Sequence, residues 1–185
     1  LPRLANDLLL MRQLQSGALP LEPTTGSVDT LVRGAVKTLE PLAAARRQQL
    51  RATVEPGPPI TADFGRLDQV LVNLLSNSVK FTPEEGTITV DATHDDSTWT
   101  IVVDDNGPGI PAAEQEGLFE NFYRAATTAT SAPGTGLGLA ISKAVVELHG
   151  GTVSLDSEVG VGTTVTIVLP VEPSVPVGHT EQMEG

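Results

Sequence analysis

The sequence predicts an α/β domain, and three observations predict it. Stretches with apolar residues at three- and four-residue spacing fall at 4–14, 29–47, 64–81 and 137–148 and read as helices. Short runs rich in Val, Ile and Thr fall at 49–54, 87–93, 98–104, 152–155 and 163–169 and read as strands. The two kinds of segment share a chain of 185 residues, enough for one domain with a substantial core.

The totals exclude several classes. A net charge of −12 argues against nucleic acid or an anionic membrane as the main partner. Cysteine is absent, so there is no disulfide framework and no thiolate metal site, which fits a cytoplasmic address. No run approaches the roughly 18 apolar residues of a membrane span, and no signal peptide is visible. The chain begins Leu1-Pro-Arg without Met and reads as a fragment.

In order, Leu4, Leu8, Met11 and Leu14 mark the first helix, closed by Ser16-Gly17. Residues 18–27 read as a linker with one short strand. Asp29 is the expected N-cap of the second helix, with Leu31, Val32, Ala35, Val36 and Leu39 on one side and Pro41 as a possible kink. Residues 49–54 alternate as a strand, followed by the loop Glu55-Pro-Gly-Pro-Pro59. The strongest helix runs from Phe64 to Phe81 behind an Asp63 cap, with Leu67, Val70, Leu71, Leu74, Leu75 and Ser78 on one arc. Asn73, Asn77 and Lys80 fall together on the flank of that arc. Asparagine is a poor helix former, so two beside a core-facing stripe suggest oxygen and ammonium groups facing a ligand.

The strands at 87–93 and 98–104 pair as a hairpin across His94-Asp-Asp-Ser97. The second ends on Asp104 and Asp105 and a tight Asn106-Gly-Pro-Gly109 turn. A carboxylate at the mouth of an apolar sheet is costly to bury without a partner, so one of these two aspartates is expected to accept a hydrogen bond. Residues 110–133 carry only one apolar cluster, Leu118-Phe-Glu-Asn-Phe-Tyr-Arg124, and no regular element is expected there. Gly134-Thr-Gly-Leu-Gly138 opens the next helix, with Ala140, Ile141, Ala144, Val145 and Leu148 apolar and His149 as a C-terminal cap facing the helix dipole. Two strands follow, at 152–155 and 163–169, and 171–185 is expected to be a disordered tail.

Glycines before a helix start expose N–H groups at the positive end of the helix dipole, a cradle for phosphate. Gly134, Gly136 and Gly138 have that form. Their spacing is neither the Walker A pattern nor the dinucleotide fingerprint. An Asn carbonyl is an acceptable Mg²⁺ ligand and a Lys can balance a phosphate. With a carboxylate able to accept from an amino group, the set suggests a purine nucleoside triphosphate.

These segments resemble the boxes of sensor histidine kinases. Asn73-Leu-Leu-Ser-Asn-Ser-Val-Lys-Phe-Thr-Pro83 resembles the N box, Asp105-Asn-Gly-Pro-Gly-Ile110 the first G box, Leu118 to Arg124 the F box and Gly134-Thr-Gly-Leu-Gly-Leu139 the second G box. Gly162-Thr-Thr-Val165 is similar to the last G-box strand, and the resemblance covers 28–170. It implies a Bergerat-type two-layer sandwich, a mixed sheet with about three helices on one face and an ATP lid over 110–133. Residues 1–17 would be the end of the second dimerisation-hairpin helix. By the same match Asp105 would hold the adenine amine, Asn77 with Asn73 would bind Mg²⁺, and Phe81 would border the base. Gly107, Gly109 and Ile110 would shape the base pocket. Lys80 and Gly134, Thr135, Gly136, Leu137 and Gly138 would meet the phosphates, and Thr163 or Thr164 would hold the base through water. Asn73 and Arg124 would serve phosphoryl transfer, Arg124 as a cation near the developing charge.

The implied reaction moves the γ-phosphoryl of ATP to a histidine on a dimerisation domain, for relay to a response regulator, in a homodimeric protein that a membrane sensor precedes. His94, His149 and His179 are the only histidines, and none sits in a phosphoacceptor context. The chain is therefore expected to bind ATP without phosphorylating itself. Three rivals share the boxes. Hydrolysing ATPases of this fold carry a Glu where this chain has Asn73, and an amide takes no proton. A serine kinase of the anti-sigma-factor type needs no dimerisation hairpin. A degenerate docking fold would bind no nucleotide.

Overall fold

The computed structural model describes residues 2–120 and 136–172. In chain order the elements are α1 Pro2–Gln15, β1 Thr24–Gly26, α2 Val28–Ala45, β2 Gln49–Val54, β3 Ile60–Ala62, α3 Phe64–Phe81, β4 Thr87–His94, β5 Thr98–Asp105, α4 Ala112–Gln115, α5 Gly138–Leu148, β6 Thr152–Glu158 and β7 Gly162–Pro170. A 3-10 turn over Glu116–Phe119 follows α4.

Five strands form one sheet in the order β2-β4-β5-β7-β6. β2 lies parallel to β4, and the other pairs are antiparallel, so the sheet is mixed. Side chains alternate across a strand, and the register lines up Val90, Val103 and Val165 across three neighbours. With Ile88, Ala92, Trp99, Ile101, Ile167 and Leu169 they make a buried face. Against it pack the stripes of α2, α3 and α5. The result is the two-layer sandwich expected, with three long helices on one face.

Local chemistry explains where the elements start and stop. All six expected arc residues of α3, from Leu67 to Ser78, are buried, and Val79 joins them. Asp63 caps α3, accepting the Arg66 N–H at 3.0 Å and the Glu22 N–H at 3.0 Å. Burial, the largest single influence, would raise the Asp63 pKa, but these two N–H donors together with nearby positive charge, Arg66 first, hold the carboxyl below its ordinary value. The cap of α2 is Ser27, not Asp29: the Ser27 Oγ accepts from Thr30 N, while Asp29 sits inside the first turn and pairs with Arg33 at 2.7 Å. Pro41 does not break α2, because Lys37 and Pro41 are both exposed and water can replace the missing backbone bond. The three-residue β3, paired with β1, was not expected.

Four further expectations are corrected. On α1 the buried residues are Leu10 and Met11, while Leu8 is exposed. On α5 the buried face includes Ser142 and Val146, while Leu148 is exposed. β6 extends to Glu158, since Asp156 and Glu158 point out from a strand at the sheet edge. The segment expected to lack structure contains α4 and the 3-10 turn. Arg124, Gly134 and Thr135, and the tail beyond 172, lie outside the described residues.

Candidate functional site

Ser78 is the one polar residue on the buried arc of α3, and it meets Asp105 at the end of β5. The Ser78 Oγ donates to Asp105 Oδ2 at 2.8 Å, and the Gly107 N–H donates to Oδ1 at 2.9 Å. Asp105 is only 8% exposed. Burial raises its pKa above the ordinary carboxylate value, and the two donated hydrogen bonds offset only part of that. The choice between the two aspartates is decided by strand alternation. Asp105 follows Ile101 and Val103 to the helix side, whereas Asp104 lies on the outer face and accepts from the Thr164 hydroxyl. Directly paired residues share a face, so Thr163, paired with Asp105, lies on the helix side. Thr164 is paired with Asp104 and belongs to the outer face.

The turn after β5 is fastened to the β6–β7 end. At Gly109 the backbone has φ +71°, and a Cβ there would stand 2.0 Å from the Glu158 carbonyl oxygen, so only glycine fits. The Ile110 N–H donates to Ser157 Oγ at 2.9 Å. Ser157 Oγ donates to the Gly162 carbonyl at 2.7 Å and lies 2.8 Å from Thr163 Oγ1. Gln115 Nε2 donates to the carbonyls of Ile110 and Ser157, each at 2.7 Å. Sequence reasoning missed Ser157 and Gln115. The available signal was a hydroxyl residue facing Thr163 across a short turn, hidden because β6 was expected to end earlier.

A second cluster ties α3 to α5. Asn73 Nδ2 donates to Ser142 Oγ at 3.0 Å. A Cβ on Gly138 would lie 2.5 Å from Asn73 Oδ1, so glycine at the first position of α5 lets the two helices close on each other. The N-cap of α5 is Leu137, whose own side chain makes no cap hydrogen bond, and the first-turn N–H groups of a helix are where an anion can bind. Beside this contact a cavity of about 570 Å³ opens between α1, α3 and α5, lined by Asn6, Asp7, Asp68, Asn73 and Ser142 among others. Ser142 also escaped the sequence reading, as a polar residue on an apolar stripe.

α3 joins the two clusters. Five residues separate Asn73 from Ser78, about 7.5 Å along a helix axis. Asn77, half-buried, lies between them in sequence. Lys80 Nζ stands 4.8 Å over the ring of Phe81. The C-terminal carbonyls of α3 are capped from another element: Gln48 Nε2 donates to Val79, Thr82 and Pro83, and Arg46 donates to Thr82. At the opposite end, His149 closes α5 as expected, but as a neutral ring. It accepts the Asp63 N–H at Nε2, 3.0 Å, and Nδ1 lies 2.7 Å from the Val145 carbonyl, which requires the Nδ1–H tautomer. His94 contacts the carbonyls of Pro56 and Asp95 and stacks near Trp99. Both described histidines thus hold structure.

Among the described residues no group of His, Cys, Asp and Glu could hold a metal ion, and no helix is long and apolar enough to cross a membrane.

The model of the family described as histidine kinase-, DNA gyrase B-, and HSP90-like ATPase matches residues 62–173. The circadian input-output histidine kinase CikA of Synechococcus elongatus is 36% identical over 98% of this chain and 26% of its own length. The histidine protein kinase DivJ of Caulobacter vibrioides is 37% identical over 91% of this chain and 28% of its own length. The chain thus spans about a quarter of the length of these two relatives. Among solved structures, full-length ShkA in complex with AMPPNP superposes with a TM-score of 0.82 at 31% identity, covering 94% of this chain and 36% of that one.

Proposed function

The chain belongs to the histidine kinase-, DNA gyrase B- and HSP90-like ATPase family, with sensor histidine kinases as its relatives, and from that premise we propose that it binds Mg·ATP in the crevice between α3, α5 and the sheet. There it delivers the γ-phosphoryl to a histidine on a dimerisation domain of the same protein, for relay to a response regulator. One observation carries the reading: a buried carboxylate, Asp105, held at a sheet end by Ser78 and Gly107, with its remaining lone pairs available to an amine.

Each residue has a role that its chemistry supports. Asp105 accepts from the adenine amine, and Phe81, Gly107, Gly109 and Ile110 border the base. Asn77 offers an amide oxygen to Mg²⁺, which takes hard oxygen ligands and keeps waters and phosphate contacts. Such an ion would neutralise phosphate charge as the phosphoryl group moves. Asn73 fits a positioning role better than a ligand role, because its amide is engaged with Ser142 and its oxygen faces Gly138. Lys80 and the glycine-rich segment 134–138 would meet the triphosphate, and Arg124 would serve as the cation near the transferring group. Asn73 cannot act as a general base, which disfavours hydrolysis as the reaction. The full-length protein is a homodimer in this reading, with residues 1–17 ending its hairpin, 18–27 as a linker and a membrane sensor preceding them.

The test mixes this chain with labelled Mg·ATP and a separately supplied helical hairpin from the same protein. Acid-labile, base-stable phosphate is expected on the hairpin and none on the chain. Stable phosphate on the chain alone, transfer to serine, or fast release of inorganic phosphate without transfer overturns the reading.

A further inference from the structure

A count of protons around Ser157 reaches beyond the binding of ATP to the choice of base. Ser157 Oγ is 2.7 Å from the Gly162 carbonyl oxygen, 2.9 Å from the Ile110 nitrogen and 2.8 Å from Thr163 Oγ1. A hydroxyl has one proton and two lone pairs. The Gly162 carbonyl can only accept, so at that distance the Ser157 proton lies between the two oxygens. The Ile110 N–H can only donate, so it takes one Ser157 lone pair. The contact with Thr163 also needs a proton, and the one remaining is that of Thr163. Thr163 therefore donates to Ser157 and turns only lone pairs to its other neighbours.

Thr163 is paired with Asp105 on the helix side of the sheet. Both Asp105 oxygens already accept, one from Ser78 and one from Gly107, as a carboxylate does. The side chains of these two residues thus offer acceptors alone. We propose that Ser157 is a positioning residue that sets base specificity: by fixing the direction of the Thr163 hydroxyl, it makes the site select a base bearing an exocyclic amine over one bearing a carbonyl at the same position. The proposal rests on the nucleotide reading above. Ser157→Ala frees the Thr163 proton, and the hydroxyl can then turn to donate to a carbonyl.

Calorimetric titration with Mg·ATP and Mg·ITP, which has a carbonyl in place of the amine, tests this on the wild type, Ser157→Ala, Thr163→Val and the double variant. The wild type favours ATP. Ser157→Ala narrows the ATP-to-ITP affinity ratio by about 5- to 10-fold, the scale of one misdirected hydrogen bond. In the Thr163→Val background, Ser157→Ala leaves the ratio unchanged. Should Ser157→Ala not fold, Thr163→Val alone decides: it narrows the ratio if Thr163 is a fixed acceptor. Equal loss of both nucleotides in Ser157→Ala or in Thr163→Val, or a change of ratio by Ser157→Ala that persists without the Thr163 hydroxyl, overturns the proposal. A wild type that binds neither nucleotide overturns the nucleotide reading itself, a separate result.

Discussion

Asn73 lies about a turn and a half of α3 from Ser78, the partner of Asp105, and Asp105 and Asn73 are held in different ways. Asp105 is buried and fixed from two elements, and its neighbours Ile110, Ser157, Thr163 and Gln115 bond to one another. Asn73 has one described side-chain bond, to Ser142, beside the start of α5 at Gly138. In the proposed reading the base end is held by hydrogen bonds among several residues, whereas the phosphate end rests on the start of α5. Fixed donors and acceptors discriminate between bases, because a wrong partner cannot be accommodated by rotation. A helix N-terminus suits an anion that all nucleotides share.

The sharpest way to break this contrast is Asp105→Asn. The amide can still bond Ser78 and Gly107, so the fold survives, but the acceptor for the amine is lost. ATP affinity by calorimetry should fall by on the order of 100-fold, as expected for a hydrogen bond to a charged group. Stability supplies a check of opposite sign. The Asp105 pKa is raised in the fold, so its contribution to stability is full below the unfolded carboxyl value and is lost as pH rises through the folded one. The melting temperature of Asp105→Asn relative to wild type should therefore climb between acidic and neutral pH; a falling difference would contradict the burial argument. A middle-sized effect is expected at the other end. Asn77→Ala should weaken Mg·ATP about 10-fold, again the scale of one polar contact, while leaving ATP in EDTA nearly unaffected. Equal losses with and without Mg²⁺ would remove Asn77 from the metal. The smallest effect is expected from Ser142→Ala, which releases the Asn73 amide. Phosphotransfer to the hairpin should slow about 5-fold with little change in ATP affinity; an affinity loss matching the rate loss would give Ser142 no positioning role.

The parts legible in the sequence were those where periodicity and chemistry agree. The α3 stripe was read residue by residue, because every buried position of that helix follows one arc, and its Asp63 cap stood alone. Between Ser27 and Asp29 two acceptable caps lay two residues apart, and only backbone geometry separates them. Asp104 and Asp105 were ambiguous for a similar reason. A one-residue shift exchanges the faces of a strand, and register depends on partners far away in sequence. The hydroxyl relays through Ser142 and Ser157 were invisible, because serine on an apolar stripe or at a strand end carries no signal until its partner is placed. β3 and α4 were too short for any period to register.

The order of strands in the sheet has a kinetic consequence. β4 meets β5 through a short hairpin, but the β5–β7 ladder joins positions 60 apart, such as Asp104 and Thr164. Closing so long a loop is slow compared with local pairing. Asp105 can meet Thr163 only once that late ladder has zipped. In the proposed reading a partly folded chain therefore lacks the base pocket, so bound nucleotide would slow unfolding rather than guide folding.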